Sequence, residues 1–230
     1  MAHCVIFSHK EQLQVFYKEP PQVFYKEQPQ VFYKEQPQAL QRYNHAMRLF
    51  FGLPLGQQTC LDIDRWVTRS LPPMAHPVPL ANFHITLVFL GNVDGGRLEQ
   101  LNASADDVRC PKFELTLNEA GFWNKPSIFW LGSSETPQPL LTLSKKLKYI
   151  ANQMGCSVEK KRYQPHVTLA RRCALPPPAA IEPPCFPASF DHFSLYESVT
   201  TRSGMRYDVI ETWPLVREKL DSRLRGNDER

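Results

Sequence analysis

From residue 46 onward the chain alternates short apolar runs with amphipathic stretches of helical period. Residues 47–53 (MRLFFGL) form an apolar run of strand length. Pro54 opens a helical pattern through Leu61, Ile63, Trp66 and Val67 that ends near Leu71. Residues 83–90 (FHITLVFL), β-branched and aromatic, predict a strand stopped by Gly91 and Asn92. A helix over 94–106 would present Leu98 and Leu101 on one face, and 112–117 alternates Phe113, Leu115 and Leu117 as a half-buried strand. Residues 127–131 (SIFWL) predict another strand after the turn-like Asn124-Lys125-Pro126. Leu141, Leu143, Leu147, Ile150 and Met154 predict a helix over 140–154 with Gly155 as its C-cap. Residues 165–170, 189–199 and 205–213 read as strands, the last two joined as a hairpin around Ser203-Gly204. The order predicts a mixed α+β domain. It is nearly duplicated, each half carrying one His-x-Thr-Leu strand.

The ends follow other rules. Residues 14–21 read QVFYKEPP, and 22–29 and 30–37 both read QVFYKEQP. Eight residues are too few for a unit that stacks into a core, and a proline closes each repeat. We read 1–45 as a low-complexity arm, 46–215 as the folded domain of two lobes, and 216–230 as a solvated tail of mixed charge.

Composition narrows the picture. The 230 residues carry a net charge of +4, which suits a polyanionic partner without marking a protein that coats nucleic acid. The six cysteines contain no C-x-x-C pair, so reduced thiols in a cytoplasmic protein are expected. Neither a spanning apolar stretch nor a cleavable signal pattern is present, and no membrane anchor or obligate protein partner is expected.

The candidate chemistry lies in the two matched strands, Phe83-His84-Ile85-Thr86-Leu87 and Pro165-His166-Val167-Thr168-Leu169. Alternate side chains of a strand share a face. His84 and Thr86 therefore point one way and Ile85 and Leu87 the other; His166 and Thr168 do the same. If the halves pack about a pseudo-twofold axis, two imidazoles and two hydroxyls face one cleft. Metal-free phosphodiester cleavage needs such a set: one histidine takes a proton from the attacking oxygen, and the other protonates the leaving oxygen. Hydroxyls can meanwhile donate to the phosphoryl oxygens. A single His-x-Thr carries little weight; two copies, one per half, carry the argument. His3, His9, His45, His76 and His192 have no comparable context, and His192 reads as structural. Neither motif offers the close second ligand that zinc requires, and no G-x-S-x-G elbow is present. No metal and no cofactor are expected.

On these residues the sequence resembles the 2H phosphoesterase superfamily, and within it the RNA 2′,3′-cyclic phosphodiesterases once called 2′-5′ RNA ligases. The resemblance runs over about residues 47–215. It rests on RLFFGL, NFHITLVFLGNV (82–93), FWLG (129–132) and YQPHVTLARR (163–172) together. It implies a bilobal fold, two small antiparallel sheets flanking a central cleft with helices outside. It also implies hydrolysis of an RNA or nucleoside 2′,3′-cyclic phosphate to a 2′-phosphate. By position His84 corresponds to the proton donor and His166 to the acceptor that activates water, with Thr86 and Thr168 on the phosphoryl oxygens. Arg171 falls where the family carries a phosphate-binding arginine. Phe89, Trp123 and Tyr163 are the aromatics expected to stack on a base. The arm, the tail and Asn92, where relatives are often acidic, depart from the family pattern. The reverse reaction, 2′-5′ ligation of tRNA halves, and a non-catalytic RNA-end binder remain as alternatives.

Overall fold

A computed structural model of the chain describes residues 45–159, 161–202 and 204–216, so nearly all of the expected arm and of the expected tail lie outside the described residues. The elements in chain order are β1 (Ala46–Pro54), α1 (Gln57–Ser70), β2 (His84–Asp94), α2 (Leu98–Asp106), β3 (Phe113–Leu117), β4 (Glu119–Trp123), β5 (Ile128–Gly132), α3 (Gln138–Gln153), β6 (His166–Arg171), β7 (Phe186–Phe190), β8 (His192–Thr201) and β9 (Gly204–Pro214). The α+β class and the duplicated strands are as the sequence predicts. Two strands, β4 and β7, were not legible in it. Glu119-Ala120-Gly121 shows no alternation and is drawn into a strand by pairing with β5. Pro187 sits inside β7, which it can do because β7 pairs only with β3, in a separate two-stranded sheet.

The remaining seven strands form one antiparallel sheet in the order β4-β5-β6-β2-β1-β8-β9. Its two halves, β4-β5-β6 and β2-β1-β8-β9, meet through a single residue pair, Ile85 opposite Val167. The two small sheets expected from the family are thus joined at one seam. All three α-helices cover the same face. Ile63 and Trp66 of α1, Leu98 and Leu101 of α2, and Leu140, Leu143 and Leu147 of α3 pack into one core with Phe51, Ile85, Leu131, Val167 and Leu195 of the sheet. Gly155 ends α3 as expected, with φ +67° and the Cys156 amide donating to the Ala151 carbonyl at 2.9 Å.

Gly91 does not stop β2. At φ +74° it is absorbed as a bulge, where the register with β1 shifts between Leu49 and Phe50. A second bulge leaves Leu87 without a partner on β1, since Gly52 pairs with Thr86 and Phe51 with Val88. β6 carries a bulge at the matching position: Trp130 pairs with Thr168 and Phe129 with Ala170, which skips Leu169. Each skipped carbonyl is taken from outside the strand pair. Ser144 Oγ of α3 donates to the Leu87 carbonyl at 3.1 Å, and the Val78 amide donates to the Leu169 carbonyl at 2.8 Å. A buried acceptor left without a donor costs about 1–3 kcal/mol. Ser144→Ala is therefore expected to lower the unfolding free energy by about that much. Urea denaturation checks it, and an unchanged midpoint would show that the carbonyl has another donor.

Candidate active site

The single pair at the seam decides the geometry of the site. With Ile85 opposite Val167 in an antiparallel register, His84 stands across from Thr168 and Thr86 across from His166. Ile85 and Val167 are fully buried in the helix-covered core, so the four polar side chains leave from the other face. The structure brings all four together there, one imidazole and one hydroxyl from each half. On a regular ladder such diagonal neighbours lie about 7–8 Å apart.

The bulges extend this likeness. Residues 84–89 and 166–171 share one burial sequence: partly exposed, buried, partly exposed, buried, buried, exposed. Strict alternation would send Val88 and Ala170 to the cleft. The extra residues at Leu87 and Leu169 reverse the phase, so Val88 and Ala170 join the core while Phe89 and Arg171 emerge on the cleft side. Phe89 and Arg171 are thus counterparts in the two halves. Phe89 is 51% exposed.

Both imidazoles are held in the same way. His84 Nδ1 lies 2.8 Å from the Asn82 carbonyl, and His166 Nδ1 lies 2.9 Å from the Gln164 carbonyl, in each case two residues upstream. A carbonyl only accepts, so both Nδ1 atoms carry hydrogen and each Nε2 is free to exchange a proton. His84 Nε2 accepts from the Thr86 hydroxyl at 3.0 Å. Asn82 also donates its side-chain amide to the Met205 carbonyl at 2.7 Å, which ties the β8–β9 hairpin to the turn before His84.

Aromatic rings wall each histidine. Phe50 lies 4.8 Å from the His84 ring, Tyr207 meets it edge-on at 4.9 Å, and Tyr196 stacks on Phe50. Trp123 meets His166 edge-on at 4.5 Å and packs on Trp130. Gly121 makes room for Trp130, because a Cβ there would fall 2.1 Å from the indole. The sequence did not single out Phe50, Trp130, Tyr196 or Tyr207. They look like core residues, and only the register shows that they face the cleft.

This enclosure sets the charge state. Burial lowers the His84 pKa to about 4, against the opposing pull of the Asn82 carbonyl, with Arg171 and His166 adding smaller lowering effects. Burial also lowers the His166 pKa; the Gln164 carbonyl and Glu159 oppose it, while Arg171 reinforces it. Arg171 therefore lies close enough to act on both rings. Tyr163 differs from the expected base platform. Its hydroxyl donates to the Thr86 carbonyl at 3.1 Å and its ring packs against the core, so it braces β2 rather than offering a free face. His192 is held by Asp191 at 2.6 Å, well away from the paired strands in sequence and pairing with Pro214 on β9. Among the described residues no group of three or more His, Cys, Asp or Glu is placed to hold a metal ion. A concavity of about 610 Å³ lined by Arg65, Trp66 and Glu182 lies beside α1, on the helix-covered side, and contains none of the paired groups.

Comparison with known proteins agrees with this architecture. The model of the 2′-5′ RNA ligase superfamily matches residues 55–202. An RNA 2′,3′-cyclic phosphodiesterase of Escherichia coli K12 is 35% identical over 172 residues, covering 74% of this chain and 97% of the relative. One from Thermotoga maritima is 32% identical over 139 residues, covering 56% and 73%. The crystal structure of E. coli LigT complexed with 3′-AMP superposes with a TM-score of 0.69 at 33% identity, covering 75% of this chain and 99% of that one. With the matched His-x-Thr strands, the shared fold and these relatives in agreement, the chain belongs to the 2′-5′ RNA ligase superfamily.

Proposed function

We propose that this chain hydrolyses 2′,3′-cyclic phosphates at RNA ends or on nucleosides to 2′-phosphates, by acid–base catalysis between two histidines. The observation that carries the reading is the seam, where one residue pair sets two imidazoles on a common face, each anchored through Nδ1 so that Nε2 is left to exchange a proton. His166 Nε2 takes a proton from the attacking water. His84 Nε2 returns a proton to O3′ as the bond to phosphorus breaks. When His84 is protonated its Nε2 becomes a donor, so the Thr86 hydroxyl turns its hydrogen outward, onto a phosphoryl oxygen. Thr168 and Arg171 supply further donors to those oxygens as their charge grows. Phe89 and Trp123 offer ring faces for the base.

The test is direct. Phosphorus NMR of a 2′,3′-cyclic mononucleotide incubated with the protein and EDTA is expected to show a 2′-phosphate. A 3′-phosphate would contradict the assignment of the leaving oxygen, and loss of turnover with EDTA would contradict a mechanism carried by the histidines alone.

The depressed histidines have a kinetic signature. The working form holds one proton on His84 and none on His166. Both pKa values are lowered in the free protein, so above about pH 6.5 that form is depleted roughly tenfold per pH unit. The anionic phosphate stabilises imidazolium and raises both values once bound. The alkaline limb of kcat/KM is thus expected below pH 6.5, and that of kcat at higher pH. Coincident limbs at or above pH 7 would refute the account of His84 as a desolvated acid.

A further inference from the structure

The proline-rich segment 72–79 does more than connect α1 to β2. Where β2 and β6 part, beyond the Ile85–Val167 pair, it takes the place of β2 beside β6. Pro77 bridges Ala170 in antiparallel fashion. The Val78 amide donates to the Leu169 carbonyl at 2.8 Å, and the Arg171 amide donates to the His76 carbonyl at 3.0 Å. These bonds flank the Pro77–Ala170 pair, a position that asks no hydrogen of proline. They also set His76 directly across from Arg171. Opposed residues leave a ladder on the same side, so the exposed His76 shares the side from which Arg171 acts on both catalytic rings. His76 itself is not among the groups that shift His84 or His166. It stands outside the acid–base pair, across from Arg171, which lies three residues beyond Thr168 on β6, at most about 10 Å along the strand.

We propose that His76, with Arg171, forms a second anion subsite that takes the phosphodiester on the 5′ side of the terminal nucleotide. The inference rests on the site being a 2′,3′-cyclic phosphodiesterase. An imidazole donates an N–H bond whether neutral or protonated, and Arg171 adds fixed positive charge beside it. A cyclic mononucleotide carries one phosphate, already engaged by the histidines. An RNA end carries a second anion one nucleotide away, and His76 lies on the side of the cleft able to meet it. The subsite distinguishes RNA ends from free cyclic nucleotides.

The experiment compares wild type and His76→Ala on adenosine 2′,3′-cyclic phosphate, on the dinucleotide ApA 2′,3′-cyclic phosphate, and on that dinucleotide with a neutral methylphosphonate linkage. Wild type is expected to prefer the charged dinucleotide. His76→Ala should lower its kcat/KM about tenfold, the size of one hydrogen bond to a charged group, while the mononucleotide changes less than about twofold. The methylphosphonate should reproduce the loss in wild type and show no further loss in the variant. Equal losses on mononucleotide and dinucleotide, no loss on either, or wild-type indifference to the linkage charge would each overturn the subsite. Wild type inactive on all three substrates would instead overturn the phosphodiesterase reading.

Discussion

His84→Ala and His166→Ala are each expected to lower kcat on a 2′,3′-cyclic nucleotide by about 10² to 10⁴, the usual contribution of a positioned general acid or base. The two losses should separate on an aryl phosphodiester whose phenolate departs without a proton. There His84→Ala should recover most of its rate, because no acid is needed, while His166→Ala should remain slow, because water still has to be activated. Steady-state kinetics on the two substrates decides the roles. Recovery by His166→Ala in place of His84→Ala would exchange the assignments, and full activity in both variants would remove the acid–base pair altogether. The separation matters because the hydrogen bonding is so nearly symmetric. Each ring is anchored through Nδ1 to the carbonyl two residues before it, and the more strongly lowered pKa belongs to the residue proposed as the acid.

The second large effect belongs to Arg171. Removing a donor aimed at developing phosphoryl charge costs about 10² to 10³ in rate, and Arg171→Ala is expected to lose that much in kcat/KM. Arg171→Lys should recover only part of it, since an ammonium restores the charge but not the planar fork of donors. The adjacent Arg172, at φ +52° past the end of β6 and absent from the groups acting on either histidine, serves as the control; Arg172→Ala should stay within about twofold. Arg171→Ala should also relieve the lowering of both imidazole pKa values, moving the alkaline limb of kcat/KM to higher pH. A rate loss with no such movement would place Arg171 away from the rings.

Much of the fold could be read along the chain. Among the described residues seven of the nine strands and all three α-helices are legible in the sequence, with ends displaced by a few residues, because the helices keep a period of 3.6 and the strands show either alternation or a short apolar, β-branched or aromatic run bounded by turn residues. β4 and β7 were missed because their pairing partners, rather than their own alternation, make them strands. Gly91 reads as a stop in the sequence because a glycine at positive φ ends a regular strand as readily as it forms a bulge within one.

The sequence by itself determined the chemical pair. In an unbroken stretch of strand, alternation is a local property, so His84 with Thr86, and His166 with Thr168, must share a face whatever surrounds them. The tertiary structure decided the rest. Only the register of β1 and β5 against these strands places the bulges at Leu87 and Leu169, and only those bulges turn Phe89 and Arg171 into the cleft. Only pairing between distant segments sets His76 beside Arg171, seats Tyr207 against His84 and commits Tyr163 to Thr86. The physical reason is that side-chain direction propagates along a strand one residue at a time, whereas a register shift and the burial that moves a pKa depend on partners far away in the chain.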